Sequence, residues 1–156
     1  MEKPTKVLII VFLALIVSLA AGVLAFAIVG KTLDKESKAF VDATIPAIVS
    51  DWDATEIKKR ASPEFDATIN YEDLQQLLDI LRGLGEMEEY RGSIGQAQIV
   101  LSIEDGIVIT AVYEASADFE AGSADMQLAL IKHGGQWQIF GFKINPEELH
   151  ERKDII

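Results

Sequence analysis

This chain of 156 residues has no cysteine, only two histidines and only four prolines. Without cysteine it can form no disulfide, thiol nucleophile or thiolate metal site, nor the lipidated cysteine of a lipoprotein. The two histidines, His133 and His150, have no second ligand at metal-binding spacing. No metal, no cofactor and no catalytic residue is therefore expected, and no Ser-His-Asp pattern is present. Positive charge is scarce too: 14 Lys and Arg stand against 25 Asp and Glu, a net charge of −11. Glu2, Lys3 and Lys6 leave +1 on the first thirty residues, so the rest of the chain carries −12. That surface repels polyanions, which excludes nucleic acid and anionic headgroups as partners held by charge alone.

What the chain does have is an apolar run of 23 residues, Val7 to Val29, whose only polar member is Ser18. At about 1.5 Å per residue, a helix of that length crosses a hydrocarbon core of about 30 Å. Lys3 and Lys6 supply a basic start, and Ala25-Phe26-Ala27 has the small-x-small form of a signal cleavage site. The run is longer than an ordinary signal core and continues past that site, which favours a retained anchor over cleavage and secretion. Lys31, Lys35 and Lys38 weaken the charge asymmetry, but the short basic stub favours an inside N-terminus. Ala14, Ser18 and Gly22 recur every four residues on one helix face, a small-residue stripe through which two such helices could pair.

Beyond the run, Phe40, Val41, Ile45, Ile48 and Val49 predict a helix over residues 35–50, kinked or restarted at Pro46. Asp53 with Glu56 resembles a capping box for a short helix ending near Ala61, and Ser62-Pro63 resembles a second N-cap. Leu74, Leu77, Leu78, Leu81 and Leu84 form the stripe of a third helix, opened after Asn70 and stopped at Gly85.

From Met87 the period becomes two. Ile99, Leu101 and Ile103 alternate with polar or smaller residues, and Ile107 through Phe119 place every second residue on one apolar face. Turns at 104–106, 121–123 and 133–135 predict successive hairpins, hence an antiparallel sheet of four to five strands, with a short helix opening after Asn145-Pro146. Helices first and hairpins after is the α+β pattern. The expected layout is a tail over 1–6, a transmembrane signal-anchor over 7–30, a hinge over 31–38 and one α+β domain over 39–156.

Several stretches carry a resemblance: Phe40-Val41-Asp42 with Pro46-Ala47-Ile48, Arg60-Ala61-Ser62-Pro63-Glu64, Leu84-Gly85 before Tyr90, and Gly135-Gln136-Trp137-Gln138-Ile139 before Gly141-Phe142. Residues 37–146 resemble small bacterial exported or membrane-anchored proteins with a nuclear-transport-factor-like (cystatin-like) domain. The resemblance implies helices on a curved antiparallel sheet, and a domain held outside a bacterial cell membrane on a single span. It implies no activity. Enzymes of that superfamily use a helix–sheet pocket, which Tyr71, Tyr90, Tyr113, Trp137, Phe140 and Phe142 are candidates to line, although no acid is placed to act as a base.

Two further patterns are weaker. Asp51-Trp52-Asp53-Ala54-Thr55 has the DxDxT form of a phosphatase nucleophile loop, but hairpins follow it where a parallel sheet is required. It also fails as a calcium loop, with Glu56 and Ser62 at the glycine and glutamate positions, so a helix end, a buried tryptophan and an N-cap are expected instead. Glu114, Ser116, Asp118 and Glu120 alternate, which suggests either a solvated strand face or a site for a cation or a basic partner. The function expected is a non-catalytic interaction or assembly module, self-associating or bound to an envelope protein. The alternative is a small-ligand or isomerase- or hydratase-like domain.

Overall fold

The computed structural model of the chain describes residues 4–146, with side chains from Lys6 onward. The apolar run lies in α1, which spans Pro4–Asp51. The chain divides into two compact units, one ending at Leu33 and the other starting at Asp34. In the first, every side chain from Val7 to Val29 is exposed. Among the described residues, α1 is the one helix long and apolar enough to cross a membrane, with a mean hydropathy of 3.1 over its most apolar window. Helical geometry continues unbroken through residues 31–38, where the sequence suggests a hinge. Pro46 likewise neither ends nor restarts the helix. Proline forfeits one backbone bond there, and the buried Ile45, Ile48 and Val49 around it keep the turn in place.

The second unit follows the predicted order closely. Asp53 caps α2 (Ala54–Lys58) by accepting from the Thr55 N–H. The reciprocal half of the capping box is missing, because the Glu56 carboxylate pairs with Lys59 and Arg60. Ser62 caps α3 (Pro63–Thr68) with proline in the first turn. Asn70 caps α4 (Tyr71–Leu81), accepting from the Glu72 and Asp73 N–H groups. A 3-10 turn over Arg82–Leu84 then ends at Gly85, whose φ of 83° suits glycine. Leu74, Leu78, Leu81 and Leu84 are buried, whereas Leu77 stays exposed at the edge of the stripe.

Four strands follow: β1 (Met87–Ser102), β2 (Gly106–Phe119), β3 (Gly122–His133) and β4 (Gln136–Pro146). They form one antiparallel sheet in sequential order, so the molecule is α+β. The terminal helix expected after Pro146 lies outside the described residues. On the inner face, Ala111, Tyr113, Ala115, Ala117 and Phe119 of β2 meet Ala124, Met126, Leu128 and Leu130 of β3. Ile45, Ile48, Ile57 and Leu78 from the helices complete this core. A fully buried aliphatic side chain of this size is worth about 1.5–3 kcal/mol. Both sheet edges are capped: the Ala97 N–H on β1 donates to Asp34 Oδ1 at 2.7 Å. On β4, Ile139 exchanges backbone bonds with Arg60 and Ser62.

Candidate functional site

Polar side chains seam α1 to the sheet. The Tyr113 hydroxyl lies 2.8 Å from Ser37 Oγ and donates to the Asp34 carbonyl at 3.0 Å. Its ring has room because β1 carries Gly95 opposite it; a Cβ there would collide with the Val112 carbonyl and Tyr113. One turn further along α1, Asp42 accepts from Tyr90 Oη at 2.7 Å, Ser93 Oγ at 2.6 Å and Lys38 Nζ at 2.6 Å. Burial works to raise the Asp42 pKa, but those three donors outweigh it and hold the carboxyl below its usual range. Burial and then the Asp42 carboxylate push the Tyr90 phenol up. These groups hydrogen-bond one another, so the seam positions the sheet against α1.

The six aromatics proposed for a pocket occupy separate places. Tyr113 is fully buried in the core, and Tyr90 is half-buried on the Asp42 seam. Trp137 is buried beneath Lys132, whose Nζ lies 5.4 Å from the ring centre and pairs with Glu36. Phe142 is half-buried opposite Leu128. Tyr71 sits on α4 with its hydroxyl on Asp66 and Lys58 over its ring. Phe140 occupies the irregularity opposite Ala129 and Leu130 and is exposed. Among the described residues the buried polar ones are Ser37, Thr44, Ser62 and Ser93, and no carboxylate is buried.

Among the described residues, no helix lies on the outer face of the sheet. Across its middle run Ile94 and Gln96 of β1, Val112, Glu114 and Ser116 of β2, Asp125 and Gln127 of β3, and Lys143 and Asn145 of β4. Glu114, Ser116, Asp125, Gln127, Lys143 and Asn145 line a shallow open cleft of about 350 Å³. Ser116 Oγ donates to Asp125 at 2.7 Å, which turns that carboxylate across the cleft. Of the predicted acidic row, Glu114 and Ser116 belong to this cleft. Asp118 is taken up by Arg91 and Ser123, which hold its pKa low, the Ser123 hydrogen bond first. Glu120 lies beyond the end of β2 and accepts from the Glu86 N–H. Among the described residues no cluster of three His, Asp or Glu is placed to hold a metal. Asp125, Lys143, Ile94 and Val112 were not singled out from sequence. The available signal was an apolar residue out of phase with the alternation, as at Ile94, which is 85% exposed.

Other sequence candidates resolve into local structure. Asp51 ends α1, Trp52 is buried and Asp53 is an N-cap. His133 is exposed and pairs with Glu64 at 2.8 Å, and His150 lies outside the described residues. Ala14, Ser18 and Gly22 are exposed on α1, with Ser18 Oγ donating back to the Ala14 carbonyl. The chain matches no family model, and no curated protein or solved structure is significantly similar to it.

Proposed function

We propose that this chain is a membrane-anchored bacterial envelope protein whose exported α+β domain docks a partner protein of basic surface. The observation that carries this reading is a four-stranded sheet with helices, among the described residues, on one face only. Its other face presents the Glu114–Asp125 cleft beside exposed Ile94 and Val112. Apolar contact flanked by charge is how transient interfaces gain both affinity and orientation. A charge of −12 beyond residue 30 repels a second copy and attracts a basic partner, so hetero-association is favoured over self-association. The apolar run of α1 supports a single span with the N-terminus inside, the domain outside and no cleavage after Ala27. The order of helices and meander supports the resemblance to the nuclear-transport-factor-like superfamily, which by itself brings no activity. A ligand-binding or enzymatic reading needs a pocket with a buried acid, and no observation favours it.

Photo-crosslinking tests the reading, with a benzophenone side chain placed at Gln127 on the outer face and, as a control, at Lys59 on the helix layer of the full chain in intact membranes. The expected result is one reproducible adduct, with a protein of basic surface, from position 127 only. Monomer alone from both positions would count against docking through the sheet, and a homodimer adduct would replace the partner with a second copy.

A further inference from the structure

Past Ala97 the β1–β2 hairpin outruns the rest of the sheet. Pairing of β2 with β3 stops at Thr110–Ile131, whereas β1 and β2 pair on to Ser102–Gly106, so the end of the hairpin is a two-stranded ribbon. The inner apolar face continues along it, with Ile99 opposite Ile109 and Leu101 opposite Ile107. Ile99 and Ile109 are half-buried, but toward the tip the face is uncovered among the described residues: Leu101 is 80%, Ile103 105% and Ile107 67% exposed. Leaving a large aliphatic side chain in water forgoes about 1.5–3 kcal/mol relative to burying it. Three on one projecting tip mark a contact surface.

The position of the tip within the domain identifies what covers it. Ser93 on β1 bonds Asp42, and Ala97 bonds Asp34, so β1 advances as α1 is traced backward. From Ala97 to Ser102 the strand adds about 17 Å on the Asp34 side, with Ile103 in the turn beyond it. Asp34 is also where the chain enters the domain, five residues after Val29. Those five residues rise about 7.5 Å in the helical form that α1 takes, and span at most about 18 Å fully extended. The reach of the ribbon therefore exceeds the tether to the end of the apolar run in its helical form and about equals it fully extended.

We propose that Leu101, Ile103 and Ile107 seat in the headgroup–acyl boundary of the bilayer, giving the domain a second lipid contact beside its span. This rests on the anchored reading above. Ser102 Oγ accepts from the Glu104 and Asp105 N–H groups and so closes the turn with two carboxylates at its end. Those carboxylates stay at headgroup level, which limits the tip to shallow insertion and favours zwitterionic over anionic lipid.

The absence of native cysteine makes the test direct. Val17→Cys, Ile94→Cys and Ile103→Cys, each spin-labelled in the full chain, are reconstituted in phosphatidylcholine vesicles, and their access to oxygen and to a nickel chelate is compared. The expected oxygen-to-nickel ratio is highest at position 17, lowest at 94, and at 103 several-fold above 94. Ile107→Cys should repeat the behaviour of 103. A water-like label at 103 with a buried one at 17 overturns the tip proposal alone. A water-like label at 17 overturns the anchored reading and the tip proposal with it. Dipolar broadening at 103, with poor access to both reagents, would put a second copy of the chain on the tip and overturn lipid as its occupant.

Discussion

Trp52 is held at φ 48°, a left-handed conformation that costs a non-glycine residue about 1–2 kcal/mol. It stands at the C-terminal cap of α1, where glycine is usual, and is kept because its indole is buried 5.2 Å from Phe119. Replacing it separates packing from strain. Trp52→Ala should lose about 3–5 kcal/mol in denaturant unfolding of the detergent-solubilised chain, and Trp52→Gly about 1 kcal/mol less than that. Equal losses would mean that the backbone there is not strained. Gly95→Ala should cost about 1–3 kcal/mol on the same assay, because the added methyl displaces Tyr113 from its seat. The Asp42 seam has a pH signature. With its pKa held below the usual value, Asp42 contributes stability above about pH 4 that is lost as pH falls through its lowered pKa. Tyr71, raised by burial and then by Asp66 to about 12, and Tyr90, raised likewise, contribute stability below about pH 10 that is lost as pH climbs. Asp42→Asn should flatten the acid limb of a stability–pH curve and weaken the Tyr90 share of the alkaline limb, while the Tyr71 share stays in place.

At the scale of elements, capping chemistry and periodicity made most of this fold readable. Ser62-Pro63 and Asn70 each announced a helix start that the structure uses, because side-chain acceptors at those positions are local and need no tertiary partner. Asn70→Ala should accordingly cost α4 about 1 kcal/mol, measured by unfolding, while leaving the sheet intact. The three turns were equally legible, since Gly106, Gly122 and Gly134-Gly135 mark where strands reverse. What sequence could not show was how far each element extends past its neighbours. Leu101 and Ile107 have the alternation of core residues, yet they are exposed on the inner face of a ribbon that β3 does not reach. Leu77 fits the leucine stripe but falls on its exposed margin. Pro46 suggested a kink or a restart; the helix does not restart there, and the buried residues around it hold the turn. The aromatics were misleading for a related reason. Spacing gives the face of an element and not which faces converge, so Tyr71, Tyr113 and Phe140 end in three different surroundings.

Across the whole molecule, the long apolar helix and a sheet face that no described helix covers make one functional proposal: a span fixes the place of work, and an open acidic face does the work. The uncovered face could be read only coarsely from sequence, as an acidic row on β2. Asp125 and Lys143 join that row through strand pairing between residues distant in sequence. Anchoring is the premise on which docking at the membrane and lipid contact at the hairpin tip both depend. Its most direct test is the intact mass of the chain recovered from alkaline-washed membranes of expressing cells. A chain carrying all 156 residues and staying with the membrane pellet is the expected result. A chain beginning at Ile28 and released to the soluble fraction would contradict it.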